Sequence, residues 1–359
     1  MLLLAPEKLF SGTYQTARKR FLNSAKNAGA HMSRLAMHAT HHDETLSTDI
    51  AWFGSPNPKR ALVVSSGIHG VEGFAGSAVQ LAAIEHLPEL PGDTALIMLH
   101  ILNPFGMSQL RRTNPANVDL NRNFHFDPKG FKQDNPHYAA LNSLLNPAYP
   151  PRFDWFSLKL FRQKLRMGSK ALSQVIAGGQ HDFQRGLFFG GHQLEPEAQA
   201  YYNWLNTSTL KQAEKVFVLD IHTGLGAFGE QSLFLYSDKM SADTLSRRFK
   251  LAIMAEKNGA RCLTYDHQGG SSALYRHLFS RQSLAFLTIE YGTYDPTHML
   301  KALRTENQLY HYGRNRLNSR VKKHFKDAFC PYPDIWRKRV VIQGIDLVSK
   351  AVNALTVDE

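Results

Sequence analysis

His69 and Glu72 stand three residues apart in the segment Ser65-Ser66-Gly67-Ile68-His69-Gly70-Val71-Glu72-Gly73. An imidazole and a carboxylate at that spacing can converge on one metal ion. A second imidazole, His222, lies far down the chain in Val218-Leu219-Asp220-Ile221-His222-Thr223-Gly224. Two histidines and one carboxylate leave the fourth position of a tetrahedral zinc open for water, which is the arrangement of a catalytic zinc rather than a structural one. Asp220 precedes His222 by two residues, and in a strand such neighbours share a face. It can orient the imidazole or bind nearby backbone, and the spacing allows both.

A short His-x-x-Glu is common by chance, but further segments accompany it in order. These are Asn117-Val118-Asp119-Leu120-Asn121-Arg122-Asn123-Phe124, the Asp220-Ile221-His222 stretch, and Leu287-Thr288-Ile289-Glu290-Tyr291-Gly292-Thr293. Together they resemble the zinc carboxypeptidase (M14) superfamily, and more closely its DUF2817 branch, near the aspartoacylase and succinylglutamate desuccinylase group. The resemblance runs from Phe10 to Ile345, and its motifs are specific as a set. It implies a zinc carboxypeptidase-like α/β fold, with a central mixed, mostly parallel sheet flanked by helices. It implies one zinc ion per chain on His69, Glu72 and His222, with Glu290 as the general base. An oxyanion-clamping arginine falls in the interval that holds Arg111 and Arg112, and we take Arg112. The pair Asn121-Arg122 matches the one that grips a substrate carboxylate, for which a planar guanidinium is well suited. Tyr265, ahead of Gly269-Gly270-Ser271, matches a substrate-contacting tyrosine.

Two departures bear on the substrate. The specificity-pocket region of the peptidases is not recognisable, and His222-Thr223-Gly224-Leu225-Gly226 is closer to the deacylase-like branches. The expected activity is therefore zinc-dependent hydrolysis of a peptide or N-acyl amide bond next to a substrate carboxylate, by activated water. An aspartoacylase-like deacylase and a carboxypeptidase are the two substrate readings. A third reading, of another class, is a binding protein that uses its basic surface and keeps a vestigial metal site. Retention of Glu290 counts against it, because a binder has no need of a base.

The elements that must position these residues are partly legible. Ala61 to Ser66, Thr94 to Leu102, Val216 to Ile221, Ser232 to Tyr236, Ala260 to Thr264 and Leu284 to Glu290 read as strands, after a first one at Asp49 to Phe53. Thr13 to Ala30 and Glu72 to His86 read as helices, as do Glu195 to Leu205, Ala242 to Asn258, Lys301 to His324 and Val340 to Leu355. The alternation predicts an α/β sheet with crossover helices, and ligands gather beyond the carboxyl ends of strands in such sheets. His69, Asn103 and His222 follow such strands, and Glu290 falls near the end of another. His38, His41, His42, Asp43 and Glu44 form a dense cluster, read as a polar loop. One catalytic domain is expected over residues 1–359. It carries an N-terminal helical decoration (1–48), a cleft-rimming insertion (128–191) with helix at Phe156 to Ile176, and C-terminal helices (301–359).

Composition bounds the rest. A chain of 359 residues with 43% hydrophobic content can bury a large core. The start, Met1-Leu2-Leu3-Leu4-Ala5-Pro6, lacks a basic region and is too short for a signal-peptide core, and no apolar run reaches the ~20 residues that span a bilayer. Cys262 and Cys330 are too few for a disulfide framework. A cytoplasmic protein is expected. The net charge of +12 is concentrated in Arg152 to Lys170 and Lys301 to Arg339. It could attract nucleic acid, anionic lipid or acidic substrates. With no nucleic-acid-binding motif beside it, a solvated basic face is the favoured reading. The expected partner is a small-molecule or peptide substrate bearing a carboxylate; oligomeric state is left open.

Overall fold

The structure, a computed structural model, describes residues 5–41, 44–132, 135–149, 154–237, 239–255, 268–313 and 319–356. Eight strands fall among these residues: β1 (His31–His41), β2 (Glu44–Gly54), β3 (Arg60–Ser66), β4 (Thr94–His100), β5 (Lys215–Gly224), β6 (Gln231–Tyr236), β7 (Ile253–Ala255) and β8 (Ser283–Gly292). They form a single sheet in the order β1-β2-β4-β3-β5-β8-β6-β7. The pairs β3–β4, β3–β5, β5–β8 and β6–β7 are parallel, and β1–β2, β2–β4 and β6–β8 are antiparallel. The fold is thus α/β with a mixed, mostly parallel sheet, as expected.

The central strands are covered on both faces, which is why they read as continuous apolar runs rather than alternating ones. Side chains still alternate between two cores. Leu62, Val64, Leu96, Met98, Phe217 and Leu219 enter one core, whereas Ala61, Val63, Ile97 and Val218 enter the other. Each of these side chains apart from Ala61 stabilises the fold by roughly 1.5–3 kcal/mol on burial. The helices are α1 (Tyr14–Asn27), α2 (Gly73–Glu85), α3 (Pro104–Ser108), α4 (Pro136–Leu145), α5 (Phe156–Met167), α6 (Ser169–Ala177), α7 (Pro196–Thr207), α8 (Ala242–Phe249), α9 (Ser271–Leu278), α10 (Pro296–Tyr312), α11 (Ser319–Phe329) and α12 (Asp334–Thr356). Helices α1, α2, α8 and α12 cover the first face, and α7 and α9 the second. Helices α4, α5, α6, α10 and α11 build a third apolar cluster of their own. Among the described residues no helix is long and apolar enough to cross a membrane.

Helix α2 is buried along nearly its whole length, which its Gly/Ala/Val-rich sequence permits. Its polar Gln80 is satisfied by donating to the carbonyls of Val64 and Leu99 (both 3.0 Å) and accepting from Ser66 Oγ. A Cβ at Gly76 would sit 2.3 Å from that of Ser66, so glycine lets α2 press onto the end of β3. Gly70 has the same role in the loop between them, since a Cβ there would lie 2.2 Å from the Gly106 backbone. These contacts fix the short segment that carries His69 and Glu72.

Several expected elements differ. The segment expected as a helical decoration also supplies edge strand β1, and β2 starts at Glu44 rather than Asp49. The backbone of the His-rich cluster is therefore strand up to His41; His42 and Asp43 lie outside the described residues. From His31 to Ala36 its side chains are exposed or half-buried, so its composition gave no strand signal. The helix expected to reach Asn258 stops at Phe249. Lys250 adopts a left-handed conformation (φ 50°), the amides of Lys250 and Leu251 both return to Ser246 O, and β7 follows in pairing with β6. The helix of the insertion is split by Gly168 (φ 80°) into α5 and α6. The long helix expected over Lys301 to His324 is two: α10 begins at Asp295-Pro296, with the Asp295 carboxylate capping the Thr297 and His298 amides, and ends before Gly313. The strand expected at Ala260 to Thr264 lies outside the described residues, as does Tyr265.

Candidate metal centre and active-site cavity

His69 stands just beyond the carboxyl end of β3, Glu72 at the entry to α2, and His222 near the end of β5. Because β3 and β5 are parallel neighbours, with Ser66 opposite Ile221, their ends bring these residues together across the sheet. All three side chains are buried, and one ligand atom from each lies within 4.8 Å of the others. His69 Nδ1 is 3.0 Å from Glu72 Oε1, His222 Nδ1 is 3.4 Å from Glu72 Oε2, and the two Nδ1 atoms are 3.3 Å apart. The Thr223 amide donates to Glu72 Oε2 at 3.1 Å and holds the carboxylate in place.

The far side of each imidazole meets a buried carboxylate. Asp119 Oδ1 lies 3.1 Å from His69 Nε2, and Asp220 Oδ2 lies 3.0 Å from His222 Nε2. Asp220 also accepts from Ser65 Oγ and Ser271 Oγ, both at 2.7 Å. Of the two roles open to it in the sequence, it takes the one facing His222. The carboxylate behind His222 draws that ring's proton to Nε2 and leaves its Nδ1 as a lone-pair donor. Two imidazole nitrogens 3.3 Å apart beside a carboxylate mark a place for a cation. The residues therefore fit a metal ion, and the His₂-carboxylate set suits zinc.

The charges follow the geometry. Burial would raise the Glu72 pKa, but the adjacent histidines, His69 foremost, hold it well below the usual carboxylate range. Burial likewise opposes ionisation of Asp119 and Asp220, and is overcome by Arg112 and His69 at the first and by His222 at the second. Burial would lower His222, yet Asp220 and Glu72 raise it well above the ordinary value. Without a metal, this cluster retains a proton. Metal and proton compete for the same atoms.

The set opens on a cavity of about 670 Å³ that also exposes Arg112, Asn121, Arg122 and Glu290. Glu290 lies on β8 opposite His222 in the β5–β8 register. It is buried, and its Oε2 accepts from the Leu225 amide at 3.4 Å. Burial pushes its pKa up to about 7, against the pull of His222. Arg112 and Arg111 part company. Arg112 Nε donates to Asp119 at 2.9 Å, Nη1 lies 3.3 Å from Glu72 Oε1, and Nη2 reaches 2.6 Å from His69 Nε2. Arg111 points away, pairing with Glu306 and Asn117 and stacking on Tyr310. Asn121 lines the cavity while its side-chain Oδ1 accepts from the Ser271 amide at the start of α9. Arg122 is held against the wall, with Nε and Nη2 donating to Ala177 O and Nη1 to Asn121 O.

Sequence reasoning missed the partners of this set. Asp119 was visible within its motif, but no local spacing ties it to His69. Ser65, Ser271 and Thr223 gave no signal, because each acts through a partner distant in sequence. The apolar wall was missed as well: Phe188, Phe234, Met299, Leu300 and Phe329 are among the residues that line the cavity beyond the polar cluster. Ser173, Ile176, Ala177 and Phe188 also line the cavity.

Among solved structures, the chain is similar to a protein of Shewanella amazonensis whose metallopeptidase assignment is provisional (13% identity, 88% of this chain and 93% of that one, TM-score 0.43). It is also similar to bovine thrombin-activatable fibrinolysis inhibitor, solved in complex with a tick carboxypeptidase inhibitor (12% identity, 96% and 97%, TM-score 0.49). A third is a Shewanella frigidimarina protein provisionally assigned as a succinylglutamate desuccinylase/aspartoacylase (20% identity, 79% and 72%, TM-score 0.38). No curated protein matches the chain. The family model described as a protein of unknown function, DUF2817, matches residues 10–343. That span takes in the whole described sheet, the candidate metal set of His69, Glu72 and His222, and Glu290, and the chain belongs to the DUF2817 family.

Proposed function

We propose that the protein is a zinc-dependent hydrolase, a single metallohydrolase domain that cleaves an amide bond next to a substrate carboxylate. The observation that carries this reading is the convergence of His69 Nδ1, the Glu72 carboxylate and His222 Nδ1 in a cavity shared with Glu290. One zinc ion per chain would be held by those three residues, and when bound it supplies a Lewis acid that lowers the pKa of water to about 7 and polarises a carbonyl oxygen.

The chain's own residues do the rest. Asp119 and Asp220 hold the two imidazoles with Nδ1 facing inward. Glu290 accepts a proton from water and returns it to the leaving nitrogen. Burial pushes its carboxyl pKa up, which helps it both to take the proton and to give it back. Arg112, anchored on Asp119 at the edge of the cluster, offers positive charge to the oxyanion that develops at the carbonyl. Arg122 and Asn121 recognise the substrate carboxylate, with the guanidinium pre-oriented by the Ala177 and Asn121 carbonyls. Both a C-terminal peptide and an N-acyl amino acid satisfy this description. A cytoplasmic location accords with two cysteines, of which Cys330 is free and buried.

The test is metal analysis joined to a substrate screen. Wild-type protein should carry one zinc per chain and turn over members of an N-acyl amino acid or C-terminal peptide panel, while His69→Ala and His222→Ala lose the metal. Full zinc occupancy in both variants would sink the assignment.

A further inference from the structure

Helix α5 turns an apolar ridge to solvent. Its inner face, Phe156, Leu160 and Met167, packs on the third apolar cluster. On the opposite face Leu158, Phe161 and Leu165 follow at i, i+3 and i+7, exposed by 47, 54 and 71%, and Trp155 at the helix start is 66% exposed. Scattered apolar residues on a surface need no explanation, but a stripe along one face of a helix does. Cations flank it. At 100° per residue, Lys159, Arg162 and Arg166 fall along one edge of the stripe and Lys164 beyond the other, and Lys170 follows in α6. No aspartate or glutamate occurs between Asp154 and Asp182. Asp154 itself stands at the foot of the helix, 3.9 Å from Lys159.

We propose that this face of α5 docks on an anionic phospholipid surface. A Trp/Phe/Leu stripe bordered by Lys and Arg is the composition of a helix that lies in the membrane interface, with its apolar side among the acyl chains and its cations at the headgroups. The alternatives fit less well. A nucleic acid would use the cations but leave the ridge in water. A second copy would cover the ridge but set two groups of five like charges against each other. The inference does not rest on the hydrolase reading. The two meet at α6, which continues from α5 across Gly168 and gives Ser173, Ile176 and Ala177 to the cavity wall.

The experiment is flotation of the full chain with vesicles of phosphatidylcholine alone and of phosphatidylcholine containing phosphatidylglycerol. Wild type should partition onto the anionic vesicles, with affinity falling as salt rises. Each cation near the surface contributes about fivefold, so the triple variant Arg162→Gln/Lys164→Gln/Arg166→Gln should bind on the order of 10²-fold more weakly. Leu165→Glu should weaken binding about tenfold or more, with Phe161→Ser as a second ridge variant if the first fails to fold. Brominated lipid should quench fluorescence in wild type and not in Trp155→Phe. Failure of wild type to float with anionic vesicles would overturn the proposal, as would equal binding by the charge and ridge variants. RNA binding that ignores the ridge variants, or a dimer that Leu165→Glu dissolves without any lipid response, would also overturn it by assigning the face to another partner.

Discussion

Replacing Asp220 by asparagine isolates the contribution of the carboxylate behind an imidazole proposed to hold the metal. The change is nearly isosteric and leaves every proposed ligand in place. In the structure Asp220 Oδ2 faces His222 Nε2 at 3.0 Å and also accepts from Ser271, while Oδ1 accepts from Ser65. Asparagine offers one acceptor oxygen where the carboxylate offers two. If that oxygen turns to His222, the amide group faces Ser65, whose hydroxyl can rotate to accept. If it turns to Ser65, an N–H faces His222 Nε2 and favours the tautomer with the proton on Nδ1, the atom needed for the metal. Either way a charge-assisted hydrogen bond becomes a neutral one. Loss of such a partner typically costs 10–100-fold in metal affinity, or roughly 1.4–2.7 kcal/mol. The assay is competition for zinc against a chromogenic chelator at fixed pH, with His222→Ala as the reference for a lost ligand. Asp220→Asn is expected to fall between wild type and that reference. Zinc affinity within about threefold of wild type, in a variant that melts normally, would refute the orienting role, since the mechanism requires a loss of at least about tenfold.

Four other expectations follow from the structure. Glu290→Gln should keep zinc and lose about 10²–10⁴-fold in kcat, because an amide cannot accept the proton; near-normal turnover would place the base elsewhere. Wild-type kcat should also fall as pH drops through the Glu290 pKa, which bound cation would bring below its value of about 7, and the residual activity of Glu290→Gln should lack that acid limb. The two cavity arginines should separate kinetically: Arg112→Ala lowers kcat with metal retained, whereas Arg122→Ala raises KM by about 10- to 150-fold, corresponding to a charge-assisted contact of roughly 1.5–3 kcal/mol. An unchanged preference for a substrate over its amidated analogue in Arg122→Ala would remove the carboxylate assignment. Finally, His100 is stacked on Phe21, hydrogen-bonded to Ser77, and held down to about 3 by burial and then by Arg18. Its folded pKa lies below the unfolded 6.5, so its contribution to stability is present above about pH 6.5 and is lost as pH falls toward 3. The slope is at most about 1.4 kcal/mol per pH unit. Thermal melts between pH 7 and pH 5 should therefore drop less in His100→Gln than in wild type, and identical slopes would exclude the effect.

Local pattern carried much of this molecule. The buried strands at Ala61 to Ser66 and Val216 to Ile221 announce themselves because both their faces are covered, which makes the apolar run continuous. His69 and Glu72 share one turn of chain, so their spacing alone suggests a common ligand. Asp-Leu-Asn-Arg and the strand ending in Glu290 are legible for the same reason: each is a contiguous stretch. Edge strand β1 was illegible, because from His31 to Ala36 it buries no side chain fully and so needs no apolar pattern. The end of α8 at Phe249 depends on pairing between β6 and β7, which competes with helix propensity from outside the segment. The site itself was closed by tertiary structure. Parallel pairing of β3 with β5 carries His222 to His69, while the turn at Asp119 and the strand carrying Asp220 set one carboxylate behind each imidazole. Arg111 and Arg112 are the same residue type at adjacent positions, so no sequence argument separates them. The backbone turns one toward Tyr310 and the other toward Asp119 and the cavity, because adjacent side chains leave the chain in different directions and meet different partners.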